Sequence, residues 1–196
     1  LVTLVAEDNA YVRYHDSEMV VKLKGVSEEY LEENRIKDYV ISGRIALQDD
    51  NFNYALIGQG VKYGLNINLA NDFYALQLFY PKNVKPGSLN PDRLVRQMNL
   101  RPIGVFAIER QYDENYILAP IEFARKLFDY TDRCTSLEIK ISNLGNIKKA
   151  QQNIQKVLGS AFSVLNRDQQ HADLLKAIQI EKFFLFLVSG FSLIVA

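Results

Sequence analysis

The chain has 196 residues, of which 23 are basic, 23 are acidic and one is a cysteine. This length suits one domain or two small ones. The balanced charge excludes an overall electrostatic attraction to nucleic acid, and the single cysteine excludes an internal disulfide framework. No cluster of cysteine and histidine has metal-ligand spacing, so we predict no metal site and leave the redox compartment open.

The first part of the chain has the patterning of β-strands. Residues 11–14 and 19–24 are predicted to form a hairpin around a polar turn, with Gly25 ending the second strand. Ser27 is a candidate N-cap for a short helix that stops near Asn34.

The next part is also predicted to be β-rich, with a polar turn followed by two short strands, at 49–53, 54–57 and 75–80. Three glycines between these strands, Gly58, Gly60 and Gly64, indicate tight backbone. Their spacing does not fit the dinucleotide fingerprint, and no P-loop lysine follows them, so we predict no nucleotide site.

Residues 81–102 differ from their surroundings, because they hold four of the five prolines and five basic residues against one acid. We interpret this stretch as a long basic loop, which at this length is either functional or disordered. Asn90 and Pro91 are predicted to start a single helical turn that places Leu94 and Met98 on one side.

After this loop, strands are predicted at 103–108 and 116–119, and Pro120 is predicted to open a helix. A βαβ unit is expected next. Its parts are a strand at 137–141, a helix capped by Asn146 and ended by Gly159, and a returning strand at 162–165, all read from the apolar periodicity.

The last part of the chain predicts a helix that changes character along its length. Leu174, Leu175 and Ile178 share one face of an amphipathic half, whereas residues 183–196 carry no charge. Fourteen helical residues rise only about 21 Å, short of a bilayer core of roughly 30 Å. We favour a stalk entering a membrane over a buried core helix, and we expect further sequence before Leu1 because the start lacks the pattern of a signal peptide.

Catalysis has little support in the sequence. His15 and His171 lack the helical partners of a zinc signature, and nothing local marks Cys134 as a nucleophile. A dyad of Cys134 with either histidine is the open alternative to a packed or idle thiol. We therefore predict that the chain is not an enzyme and binds no cofactor.

The basic loop is the candidate partner-binding site, because apolar anchors supply affinity while positive charges steer encounter with an anionic protein surface. An ordinary solvated loop and attraction to anionic lipid headgroups are the alternatives. The candidate residues are Lys85, Pro86, Leu89, Arg93, Leu94, Arg96 and Met98.

Four segments of the chain carry a family resemblance: 21–26 (VKLKGV), 55–60 with 64–67 (ALIGQG and GLNI), 104–106 with 116–130 (GVF and YILAPIEFARKLFDY), and 173–182 (DLLKAIQIEK). In this order they resemble the extracytoplasmic domain of bacterial ABC-transporter permeases of the MacB and FtsX type, most closely the lipoprotein-releasing permeases LolC and LolE. The last segment is the most specific match. Asn71 and Asp72 stand where the family usually has Gly-Asp, so that turn is expected to differ.

The resemblance implies an α+β fold in which a β-rich Sabre-like module is inserted in a Porter-like α/β module containing the βαβ unit. The implied parts are a Porter-like module at 1–18 and 116–172, a Sabre-like module at 19–115 with a hook-like loop at 81–101, and a stalk with the start of a transmembrane helix at 172–196.

The resemblance also implies a place and a function. The domain would be the periplasmic part of a permease in the bacterial inner membrane, coupling ATP-driven motion to lipoprotein release or handover to a periplasmic carrier. The implied partners are a cytoplasmic ATPase, which would hold the ATP, and a second permease subunit, identical or different. Glu181 and Lys182 would lie at the membrane boundary as coupling residues or as simple interfacial anchors. Efflux of a drug, peptide or other amphiphile, and a soluble protein-binding module, are the alternatives.

Overall fold

The computed structural model describes residues 2–27, 29–32, 36–49, 52–70, 74–82, 94–141 and 146–170. The chain divides into two compact units, Leu1–Lys140 and Ile141–Ala196.

The first unit contains all eight strands of the described residues: β1 (Val2–Tyr14), β2 (Ser17–Val26), β3 (Val40–Gly43), β4 (Tyr54–Gly58), β5 (Leu76–Pro81), β6 (Val95–Phe106), β7 (Tyr116–Pro120) and β8 (Ser136–Ile139). The helices are α1 (Glu29–Glu32), α2 (Gln59–Gly64), α3 (Arg110–Asp113), α4 (Ile121–Phe128), α5 (Ile147–Leu158) and α6 (Arg167–Gln170), with a 3₁₀ turn at Lys37–Tyr39.

Six strands of the first unit close into a ring in the order β1, β2, β7, β4, β6 and β5, after which β5 pairs with β1 again. The ring closes because the long β1 uses both of its edges. One edge pairs with β2, and the other is shared between β8, at residues 2–5, and β5, at residues 11–13. The β2–β7 and β4–β6 pairs are parallel, and β3 joins β6 outside the ring.

Each of the two faces of the sheet that forms the ring carries its own apolar cluster. On the face that α4 covers, hereafter the α4 face, Ala10, Val12 and Leu23 pack with Phe123 and Leu127. On the opposite face, residues that precede β4 cover part of the sheet, where Tyr30, Ile36 and Leu47 pack on Val5, Val26, Leu56, Phe106 and Leu118. Burial of apolar area on both faces is the main stabilising term of this unit.

Most of the locally encoded elements are confirmed. The first hairpin turns at His15 and Asp16, and α4 begins directly after Pro120. In the second unit the Asn146 side chain caps α5 by accepting from the backbone N–H of Lys149 at 3.2 Å, and Gly159 ends this helix with a φ of 71°.

Three local expectations for the first unit are wrong. Gly25 does not end β2, which continues to Val26; a Cβ at Gly25 would lie 2.3 Å from the Cβ of Ala124, so glycine permits the close approach of α4. Residues 95–101, expected to be part of the loop at 81–101, belong to β6. Met98 lies in that strand and not in a helical turn, since pairing with β5 buries one side of this sparsely apolar stretch.

The returning strand at 162–165 is also absent, so the predicted βαβ unit is incomplete. Gln155 explains why. Its amide nitrogen donates to the carbonyls of Gly159 at 2.6 Å and Phe162 at 2.8 Å, and its oxygen accepts from the N–H of Val164 at 3.1 Å. Side chains of α5 therefore bind the backbone groups that a sheet partner would have used.

No described helix is long and apolar enough to span a membrane. The stalk expected at 172–196, with Glu181 and Lys182, lies outside the described residues.

The α+β class is confirmed as a mixed fold of many strands and few helices. The ring draws strands from both sides of the boundaries at 18/19 and 115/116, and the division into Sabre-like and Porter-like modules stays a prediction.

Gly58 and Gly64 offer a test of close packing between α3 and the start of α2. A Cβ at Gly58 would meet the Asp113 carbonyl oxygen at 2.2 Å, whereas one at Gly64 would meet only the flexible Met19 sulfur at 3.3 Å. Gly58→Ala should lower the free energy of unfolding by about 1–3 kcal/mol in urea titration, and Gly64→Ala should change it by less than about 1 kcal/mol. Equal effects would contradict this packing.

Candidate functional site

Of the predicted partner-binding residues, the structure describes Leu94, Arg96 and Met98. Lys85, Pro86, Leu89 and Arg93 lie outside the described residues. Leu94 directly precedes β6, and its carbonyl accepts from the Lys82 N–H at 2.7 Å. Met98 packs partly buried against the apolar cluster of the α4 face. Their binding role stays a prediction.

Arg96 has contacts within the first unit, because its guanidinium binds the C-terminal end of α4. One nitrogen donates to the carbonyls of Lys126 at 2.7 Å and Leu127 at 3.3 Å, and another lies 2.9 Å from an Asp129 carboxylate oxygen. The last carbonyls of a helix lack intrahelical partners, and a cation there also interacts favourably with the helix dipole. Arg96 therefore stabilises the end of α4, and partner binding by this residue stays a prediction.

Tyr80 stands directly across from Arg96 in the β5–β6 register, and its side chain also lies at the C-terminal end of α4. Its hydroxyl donates to an Asp8 carboxylate oxygen at 2.6 Å, and the Tyr130 hydroxyl donates to the same oxygen at 3.3 Å. The Tyr80 ring packs 4.9 Å from that of Phe128. Burial, followed by the bond to Asp8, raises the pKa of Tyr80.

Asp129 occupies the left-handed region, with φ 64° and ψ 34°, as the residue that ends α4. This conformation favours glycine, and Asp129 adopts it while its carboxylate pairs with Arg96. We call the set Asp8, Tyr80, Arg96, Asp129 and Tyr130 the α4 clamp. Sequence reasoning missed it, because its members lie far apart in the chain and only Arg96 belonged to a noticeable charge cluster.

A second polar network lies on the opposite face. The Lys24 side chain is 13% exposed and pairs with Glu138. Burial alone would lower the pKa of Lys24, but the neighbouring Tyr30 and Glu138 outweigh it and raise that pKa, so Lys24 stays charged. The Glu7 carboxylate accepts from Tyr116 at 3.3 Å and from another lysine of β2. These opposite charges pair across β1, β2 and β8.

An open row of side chains crosses the opposite face from β2 through β1 and β5 to β6. Val20, Tyr11, Phe79 and Gln97 stand side by side on four neighbouring strands. The Tyr11 and Phe79 rings are 5.8 Å apart, and Val20 is 61% exposed. Aromatic and aliphatic groups in such a row can supply the apolar part of a protein contact.

The candidate catalytic residues show no catalytic arrangement in the described structure. His15 lies in the first hairpin turn, where it contacts Asp16 and the Tyr74 ring. Cys134 is exposed between α4 and β8, and His171 lies outside the described residues. Among the described residues, no group of three His, Cys, Asp or Glu side chains could hold a metal ion.

Known proteins resemble this chain in structure and not in sequence. No protein-family model matches the sequence, and no curated protein is significantly similar to it in sequence. The extracellular domain of the noncanonic ABC-type transporter YknZ from Gram-positive bacteria is similar in structure, with a TM-score of 0.52 and 17% identity over 84% of this chain and 80% of that one. The periplasmic region of MacB from Actinobacillus actinomycetemcomitans has a TM-score of 0.53 and 17% identity, over 82% of this chain and 66% of that region. The chain therefore shares its fold with these two domains, one extracellular and one periplasmic.

Tyr80 predicts how stability depends on alkaline pH. Its pKa is higher in the folded than in the unfolded chain, so its contribution is fully present below the unfolded value of about 10 and is lost as the pH rises further. Tyr80→Phe should lower the free energy of unfolding by about 1–2 kcal/mol at pH 7 and should flatten its decline above about pH 10, in urea titrations followed by circular dichroism. An alkaline decline as steep as that of the wild type would contradict the assignment.

Proposed function

We propose that this chain is the extracytoplasmic domain of an ABC-transporter permease subunit. The observation that carries the proposal is the fold shared with the domains of YknZ and MacB over more than four fifths of the chain. The four segments that resemble MacB and FtsX permeases support it independently, because they were identified from residue order and not from shape.

The permease works with a cytoplasmic ATPase and a second permease subunit, and the chemistry of ATP hydrolysis resides in the ATPase. The domain itself binds partners and transmits motion and is not an enzyme. Its described ionisable groups are consistent with this role. The residues of the α4 clamp bind one another, and Lys24 pairs with Glu138. Glu181 and Lys182 serve at the membrane boundary.

Release of lipoproteins, with handover to a periplasmic carrier, is the cargo that we propose first. The resemblance to LolC and LolE favours it, and the basic residues between β5 and β6 fit an acidic protein partner. The open row, which includes Phe79 of β5 and Gln97 of β6, adds apolar surface on the strands that flank these residues. Efflux of an amphiphile is the second candidate, favoured by the fold shared with MacB.

Cys134 gives a direct test of the side of the membrane, because it is exposed and is the one cysteine of this chain. In spheroplasts that carry the full-length protein, with any cysteines outside this chain replaced, a membrane-impermeant maleimide should label Cys134 before lysis. The matched Cys134→Ser variant should remain unlabelled. Labelling only after lysis would place the domain in the cytoplasm and favour the soluble binding module instead.

The cargo is tested by depleting the full-length protein in its host and following palmitate-labelled lipoproteins. Depletion should hold lipoproteins in the inner membrane, and wild-type protein should restore their release. Lys85→Glu with Arg93→Glu should fail to restore it, since reversed charge would repel an acidic carrier. This pair leaves Arg96 in place, so α4 keeps its clamp.

The control is the equal charge change Lys148→Glu with Lys156→Glu in α5, which should restore release. Restoration by both variants would show that the loop charges are dispensable. Unchanged lipoprotein sorting together with greater susceptibility to amphiphilic drugs would contradict lipoprotein release and favour efflux.

A further inference from the structure

We infer that Tyr80 and Arg96 couple the β5–β6 hairpin to the end of α4, so that a change in the hairpin alters the order of the segment leading to β8. The purpose of this coupling, transmission of partner binding, rests on the proposed function. The contacts that produce the coupling are independent of that proposal.

The coupling begins at the outer end of the hairpin. Pro81 and Val95 form the last register pair, and Tyr80 and Arg96 form the pair before it. Since side chains alternate along a strand, Pro81 and Val95 lie on the exposed side and Tyr80 and Arg96 lie on the α4 face. Any displacement of the outermost pair therefore acts first on the two clamp residues.

The side chains of both hairpin residues of the clamp, Tyr80 and Arg96, contact the C-terminal end of α4. Arg96 binds the last carbonyls of α4 and Asp129, while Tyr80 packs on Phe128 and shares the Asp8 carboxylate with Tyr130. Two neighbouring strands thus contact the same helix end. A twist of the hairpin moves both contacts together.

The end of α4 is the part of this helix whose order depends most on outside contacts. The helix has eight residues, too few to be stable alone, and it ends in a left-handed aspartate where glycine is preferred. Short helices open locally from their ends, so the clamp sets how often Phe128, Asp129 and Tyr130 leave their native conformation.

Beyond α4, further bonds carry the effect to β8. Arg125 donates to the carbonyls of Arg133 at 3.0 Å and Asp132 at 3.4 Å. The Thr135 N–H donates to the carbonyl of Val5 at 2.8 Å, immediately before β8 pairs with β1. The hairpin, the helix end and the last strand of the first unit therefore form one continuous bonded series.

A disulfide across the outermost pair tests the coupling in the purified 196-residue chain. The neighbouring Lys82–Leu94 pair is hydrogen-bonded, so Pro81 and Val95 form a close non-hydrogen-bonded pair within disulfide reach. The chain carries Pro81→Cys and Val95→Cys with Cys134→Ser. Oxidation should slow hydrogen exchange of the Phe128, Asp129 and Tyr130 amides, measured by NMR, by about threefold or more relative to the reduced form.

The matched control adds Tyr80→Phe and Arg96→Met to the same chain. In this background the disulfide should still form, but oxidation should no longer change exchange at the end of α4. An equal slowing in both backgrounds, or no slowing in either, would overturn the coupling.

A second variant keeps the test decisive if the disulfide does not form. Arg96→Met alone should speed exchange of the same three amides by about tenfold and leave that of the Leu65 amide in the first unit unchanged. Unchanged exchange at α4, or equal acceleration at Leu65, would overturn the inference. Because these measurements use no partner and no membrane, their failure is distinguishable from failure of the proposed function, which the labelling and lipoprotein experiments decide.

Discussion

The pairing of β1 with three other strands is the constraint on which the first unit depends. Its full-length hairpin with β2 fixes which side chains face α4, and its short contact with β5 at residues 11–13 closes the ring. The same edge pairs with β8 at residues 2–5, so one strand links the ring to the end of the unit. A slip of one residue would exchange Asp8 and Glu7 between the two faces and separate both from their partners.

Closure of the ring brings α4 against the sheet at close range. Gly25 makes room for Ala124, and the apolar side of the helix fills the α4 face of the ring. The polar end of the same helix is held by Asp8, Tyr80 and Arg96, which come from three different strands. Packing thus positions the helix along its length, while charged and hydroxyl groups determine where it ends.

The first unit separates its paired charges from its exposed apolar side chains. The Lys24–Glu138 and Arg96–Asp129 ion pairs lie within the unit, whereas the open row around Tyr11 and Phe79 presents apolar area on β1, β2 and β5. The fold is shared with the extracellular domain of YknZ and the periplasmic region of MacB. The connection from the hairpin through α4 to β8 gives the domain a physical route between its surface and the end of the unit.

The sequence by itself determined the elements that local chemistry encodes. Pro120 opens α4, Asn146 caps α5 and Gly159 ends it, because these effects act within one turn of the chain. The tertiary structure decided the rest. Residues 95–100 became a strand through pairing with β5, and residues 162–165 did not because Gln155 binds their backbone. Arg96, predicted as a partner-binding residue, found its contacts on α4. In each case the deciding partner lies outside the segment itself, where local periodicity and composition carry no information about it.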